Sequence, residues 1–329
     1  MYLRNRSFLL LVLTAAFCPA ALGQRLEISL PRGYVPPPLT RSAELDAAVG
    51  AAVSAANARF ASAALKPDQF AVTVIDLSEG RQWQWASYRG ETAIYPASVV
   101  KMFYMAAIER QLEDGRVTST AELDRGLRDM IVDSSNEATQ YLLDVITGTS
   151  SGAELPPKLF EAWQFKRNIV NRWLTSMGYK GINVNQKTFC EDAYGIEQQS
   201  RGYKGQNRNM ISTDATARMM AEIVTGRLNT PARTEKMMSL MRRDPWGKAA
   251  DADDQNNGFT GRFFIQRDIR DVKLWSKAGW TSKTRHDVAY IEMPGGPRFV
   301  IAVYTEDHAN ERDIIPTIAG AIYDRFRAR

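Results

Sequence analysis

The chain has 329 residues, of which 44% are hydrophobic and 24% charged, with a formal net charge of +5. That supply of apolar side chains builds a sizeable core and excludes bulk disorder. Its 42 lysines and arginines are scattered, without a dense basic block or a nucleic-acid motif, which excludes a nucleic-acid binder.

At the N-terminus, Arg4 and Arg6 precede an apolar run at residues 8–13, and small residues follow at Ala21 and Gly23. A charged start, a short apolar stretch and a small-residue cleavage point predict a secretory signal peptide over residues 1–23. The run is too short to span a bilayer comfortably, and no later stretch is long enough, so no membrane span is expected after cleavage. Phe17 before Cys18 does not fit a lipoprotein signal, in which that residue is small. Cys190 is then the one cysteine left, which excludes an internal disulfide and a cysteine-held metal. A single thiol there is expected as buried packing. The mature protein is expected to be a periplasmic or secreted monomer.

Residues 24–41 are Pro-rich and predict an extended linker, with one domain over 42–329. Leu45, Val49, Val53 and Ala56 recur at helical spacing. Residues 70–77 make a strand, Ser78-Glu79-Gly80-Arg81 a turn, and residues 82–86 its hairpin partner. From about 88 to 226 the periodicity is helical, with helices near 98–113, 121–132, 137–147, 158–177 and 213–225. Strands return at 272–275, 287–293 and 298–305, and a helix closes the chain at 314–326. That order predicts an α+β sandwich: an antiparallel sheet flanked by terminal helices, with an inserted all-helical subdomain.

Three short motifs carry the chemistry. Ser98 starts a helix that is apolar almost all round, and Lys101 follows on the same face. Burial lowers a lysine towards neutrality and makes it a base, and a helix N-terminus favours developing negative charge. Alone, the pair also fits a serine cap with a lysine snorkelling to the surface. Ser134-Ser135-Asn136 lies between two helices, where Ser134 and Glu137 have capping-box spacing. Lys277-Ala278-Gly279 ends a strand.

In this order the three motifs resemble the signature of class A β-lactamases and penicillin-binding proteins. Met130-Ile131 and the helix starting at Ser212-Thr213-Asp214 also look like class A enzymes. The resemblance covers residues 45–329 in outline and implies a β-lactamase/transpeptidase-like fold. It implies that Ser98 attacks an acyl carbonyl, that Lys101 takes its proton, and that Ser134 passes a proton to the leaving nitrogen. Asn136 would hold a substrate amide, Lys277 its anionic end, and Gly279 would let the strand approach. The backbone N–H groups of Ser98 and Trp280 would form the oxyanion hole. No cofactor and no metal is required. The implied substrate is a β-lactam or a D-alanyl peptide.

The sequence departs from that pattern in four places. Ala278 replaces a hydroxyl residue, with Thr281, Ser282 and Arg285 as the nearby groups able to substitute. Ser135 replaces an aspartate. Only 36 positions separate Ser98 from Ser134, which implies a missing loop and a more open cleft. Between Gly178 and Ser212 there is no E-x-x-x-N, the motif that places deacylating water in class A enzymes. Glu191, Asp192 and Glu197 are the carboxylates present, Glu191 being the possible deacylation base. The function expected is β-lactam hydrolysis through an acyl-enzyme on Ser98. The alternatives are a D-alanyl peptidase or esterase, or a β-lactam-binding sensor with slow turnover. Gly148-Thr149-Ser150-Ser151-Gly152 matches G-x-S-x-G, but helical residues precede it, so it is expected as a loop. His286 and His308 are expected on the surface.

Overall fold

The computed structural model describes residues 26–78 and 82–328. The predicted signal peptide and most of the 78–81 turn lie outside the described residues. In chain order come β1 (Thr40–Arg41), α1 (Ala43–Arg59), β2 (Phe70–Asp76) and β3 (Gln84–Tyr88). A run of helices follows: α2 (Val100–Glu113), α3 (Ala121–Ile131), α4 (Asn136–Thr147), α5 (Pro157–Arg167), α6 (Ile169–Ser176), α7 (Ile196–Arg201), α8 (Thr213–Val224) and α9 (Pro231–Met241). The chain ends with β4 (Arg242–Arg243), α10 (Thr260–Gln266), β5 (Lys273–Trp280), β6 (Arg285–Glu292), β7 (Arg298–Thr305) and α11 (Ile314–Arg327).

The strands form one sheet in the order β1-β3-β2-β7-β6-β5-β4. Every neighbouring pair is antiparallel except β1 with β3. Both faces of this sheet are covered. In β2, Phe70, Val72 and Val74 face α1 and α11, while Ala71 and Ile75 face the helical layer. A strand buried on both sides needs an apolar run rather than alternation, as residues 70–77 have. The architecture is the expected α+β sandwich.

Central to the helical layer is α2, whose residues 100–112 are all buried. Around it, side-chain caps set the helix starts: Thr120 accepts from Leu123 N, Ser135 from Ala138 N and Ser212 from Ala215 N. The stretch 158–177 divides into α5 and α6 at Asn168, whose side-chain oxygen is drawn to Asn171 and Asn185. The lead at 26–41 is docked along the helices rather than free. Ile28 is in the core, Gln111 Nε2 donates to the Leu26 carbonyl, and Tyr34 donates to Glu222 at 2.8 Å.

One expectation about a side chain is corrected. His286 is fully buried on β6, because its ring stacks on Tyr304 with 4.3 Å between centroids. Its Nδ1 accepts from Thr305 N–H, so Nε2 donates to the Tyr95 carbonyl at 2.9 Å. His308 is half-buried and bonds Gln69 at 2.8 Å. Gly148 ends α4 at φ 61°, so the G-x-S-x-G pattern is a helix C-cap and a loop.

Candidate active site

The site forms where the start of α2 meets the α3–α4 turn and the end of β5. Ser98 is half-buried in a short 3₁₀ turn, Ala97–Val99, that runs into α2. Ala97 before it has φ 46°, and Ser134 across the cleft has φ 56°. Left-handed backbone costs a residue with a side chain roughly 1–2 kcal/mol. Two such residues converge on one site, a common place for stored backbone strain.

Gly279 explains how β5 reaches the Ser98 turn. A Cβ on it would lie 2.6 Å from Ser98 N, 2.8 Å from Val99 N and 2.9 Å from the Pro96 carbonyl. Only a glycine lets the two backbones approach so closely. Trp280 follows with its indole exposed.

Lys101 is fully buried, and its ammonium donates to the Ser134 carbonyl, to Asn136 Oδ1 at 2.9 Å and to Ser134 Oγ at 3.3 Å. Burial pulls it down to about 7, against the opposing pull of Glu137. Charged and neutral forms therefore coexist near neutral pH. Lys277 is equally buried and reaches the same hydroxyl, Ser134 Oγ, at 3.0 Å. Burial, then the charges of Lys101 and Arg243, hold Lys277 well below the usual lysine range. One serine hydroxyl thus bridges two lysines.

The capping-box reading of Ser134 is also corrected. Ser135 takes the cap, which leaves the Ser134 side chain to the lysines. Asn136, first residue of α4, spans Lys101 and Cys190, donating to Cys190 Sγ at 3.4 Å. Cys190, expected as buried packing, is exposed and free because its loop stands at the cleft beside Asn136.

The three carboxylates of that loop have different surroundings. Glu197 is buried and ion-paired with Arg167 at 2.7 Å and Lys187 at 3.4 Å. Asp192 is exposed and paired with Arg201. Glu191 is exposed and lines a cavity together with Cys190. Arg285, considered as a substitute for the missing hydroxyl at 278, is buried and bound to Asp253 at 2.7 Å.

Gln255 was not singled out from the sequence. Its Oε1 accepts from Lys277 at 2.6 Å and from Ala278 N at 3.2 Å. Its Nε2 donates to the Val132 and Ile131 carbonyls, joining β5 to the turn that carries Ser134. It lies in a loop without periodicity, so no sequence signal marks it. Buried Arg243 adds a parallel brace, donating to the Ser276 carbonyl at 2.9 Å and the Ile131 carbonyl at 3.2 Å.

A serine at a helix start, a depressed lysine one turn on and a second serine shared between two lysines are the groups that a serine–lysine acyl transfer would draw on. Residues 119–326, more than half of the chain, match the model of the beta-lactamase enzyme family, and the chain belongs to that family. No curated protein sequence matches significantly. Among solved structures, a beta-lactamase from Sphaerobacter thermophilus DSM 20745 is 20% identical, with a TM-score of 0.61 over 86% of this chain and 98% of that one. An acyl-enzyme complex of a PBP-A mutant with penicillin G is 16% identical, with a TM-score of 0.61 over 90% of this chain and 100% of that one. The last common ancestor of Gram-negative class A beta-lactamases is 17% identical, with a TM-score of 0.58 over 85% and 99%. At these identities the likeness is one of fold.

Proposed function

We propose that the protein is an exported serine hydrolase acylated on Ser98 by β-lactams or D-alanyl peptides. The observation that carries this reading is Lys101, buried, depressed to about 7 and joined through Ser134 to Lys277. Neutral Lys101 accepts the Ser98 proton as Oγ bonds to the acyl carbon. The carbon–nitrogen bond then breaks, and Ser134 passes a proton to the departing nitrogen while being resupplied by the lysines. Asn136 holds the acyl amide. The N–H groups of Ser98 and Trp280 stabilise the oxyanion. Lys277, at the end of β5, supports the substrate's anionic end when protonated.

Release of the acyl group is the slower half. Of the three carboxylates at 191–197, Glu197 and Asp192 are engaged by cations, which leaves Glu191 as the candidate base in that segment. A thiol, not a carboxylate, lies against Asn136, and this favours slow turnover over rapid hydrolysis. Export through the segment 1–23 accounts for where such substrates are met. Incubation with a fluorescent penicillin should label the protein stoichiometrically and leave Ser98→Ala unlabelled. Absence of a covalent adduct on the native protein would overturn the reading. Nitrocefin turnover then separates a lactamase from a slow penicillin binder, and loss of that turnover in Glu191→Gln identifies the base.

A further inference from the structure

A cavity of about 800 Å³ is lined by segments that adjoin the site in the chain, though not by Ser98 itself, and the proposed acylation chemistry does not use it. Tyr95, three residues before Ser98, lies on its inner side, and Cys190, which touches Asn136, forms part of one wall. The turn 281–284, directly after Trp280, also lines it. A group attached to the acyl carbon of a substrate on Ser98 therefore has this cavity as its neighbour.

The cavity has an uneven charge balance. Arg201, Arg208 and Lys283 line it, against Glu191 and Asp192. Asp192 is held by Arg201, which lies over the ring of Phe189. Asp192 also feels the charge of Arg208, so three cations line the cavity against two carboxylates, and neither Arg208 nor Lys283 makes an ion pair among the described residues. Arg208 is not loose: its guanidinium lies over the Tyr95 ring, 4.8 Å from the centroid. A cation fixed on an aromatic face, with its edge donors free, is arranged to receive a planar anion. Tyr95 and Phe189 add apolar surface next to it.

We propose that this cavity is an acyl-group subsite in which Arg208 and Lys283 select substrates carrying a carboxylate on an aryl or alkyl acyl group. The proposal rests on acylation at Ser98 and adds the charge of the preferred acyl group. Arg208 and Lys283 are both exposed, so substituting them leaves the core intact. The test compares second-order labelling rates for benzylpenicillin, its α-carboxy derivative and its α-amino derivative, read by competition with a fluorescent penicillin. The native protein should react with the α-carboxy compound roughly fivefold or more faster than with the α-amino one, as two exposed charge contacts allow. In Arg208→Ala/Lys283→Ala that ratio should fall to about one, and in Arg208→Glu/Lys283→Glu it should invert. The native preference should also shrink as salt is raised. Equal rates in the native protein, or a preference unchanged in both double variants, would overturn the subsite while leaving the Ser98 reaction standing. Failure of all three compounds to label Ser98 would overturn the acyl-enzyme reading itself, and the subsite with it.

Discussion

Lys101 shows how burial alone makes a base. Its amine must be neutral to take a proton from Ser98, and desolvation brings it to about 7. The acylation rate is therefore expected to rise with pH and level off above about 7, as measured by stopped-flow labelling. Lys101→Arg, which stays charged, should lose about 10²- to 10⁴-fold and keep no such inflection. Gly279 is a second test at this scale. Its added Cβ in Gly279→Ala would meet backbone atoms, not flexible side chains, so the Ser98 turn must shift. Acylation should fall by roughly two orders of magnitude, with a stability loss of about 1–3 kcal/mol in denaturant titration.

The element that shapes the second wall of the cleft is the segment between α6 and α8. It is held by a buried charge cluster in addition to the apolar packing of Val184 and Ile196. Arg167 from α5 and Lys187 meet Glu197 from α7, while Asp144 from α4 takes Lys187 at 2.7 Å and Ser151 donates to Glu197 at 2.9 Å. Burial pushes the Glu197 carboxyl up, but Arg167 and Lys187 outweigh it and hold it below the usual range. Glu197→Gln leaves two buried cations short of a partner and is expected to cost about 3 kcal/mol or more. Thermal unfolding measures that loss, and an unchanged Tm would show that α7 does not depend on the cluster. Acylation is expected to suffer less than deacylation, because this element carries Cys190 and Glu191 and not Ser98.

Across the whole molecule, the sheet separates two cores and ties the Ser98 turn to the neighbouring strands. His286 is that tie, linking β6 and β7 to the Tyr95 carbonyl just before Ser98. Burial lowers its imidazole to about 4 from 6.5. The unfolded chain therefore binds a proton below about 6.5 that the folded chain refuses until about 4. Stability is fully present above about 6.5 and is lost as pH falls to about 4, by about 3 kcal/mol in total. Denaturant midpoints at successive pH values measure this slope, and His286→Gln should flatten it.

The sequence by itself determined the order of the main strands and helices, the burial of α2 and the three motifs with Ser98, Lys101, Ser134, Asn136, Lys277 and Gly279, while α9, α10, β1 and β4 lay outside that reading. Each of these is local: a period, a spacing of three residues, or a glycine beside a lysine. The tertiary structure alone decided what those residues share. It put Lys277 on the Ser134 hydroxyl, made Ser135 and not Ser134 the cap, brought Gln255 into the network and placed Cys190 against Asn136. Apart from the local Ser135 cap, these contacts join residues from 22 to 143 positions apart. Such pairings carry no periodic signal, because they arise when separate elements pack on one sheet. The same holds for Glu197, whose role as a buried ion-pair partner is set by Arg167 thirty positions away.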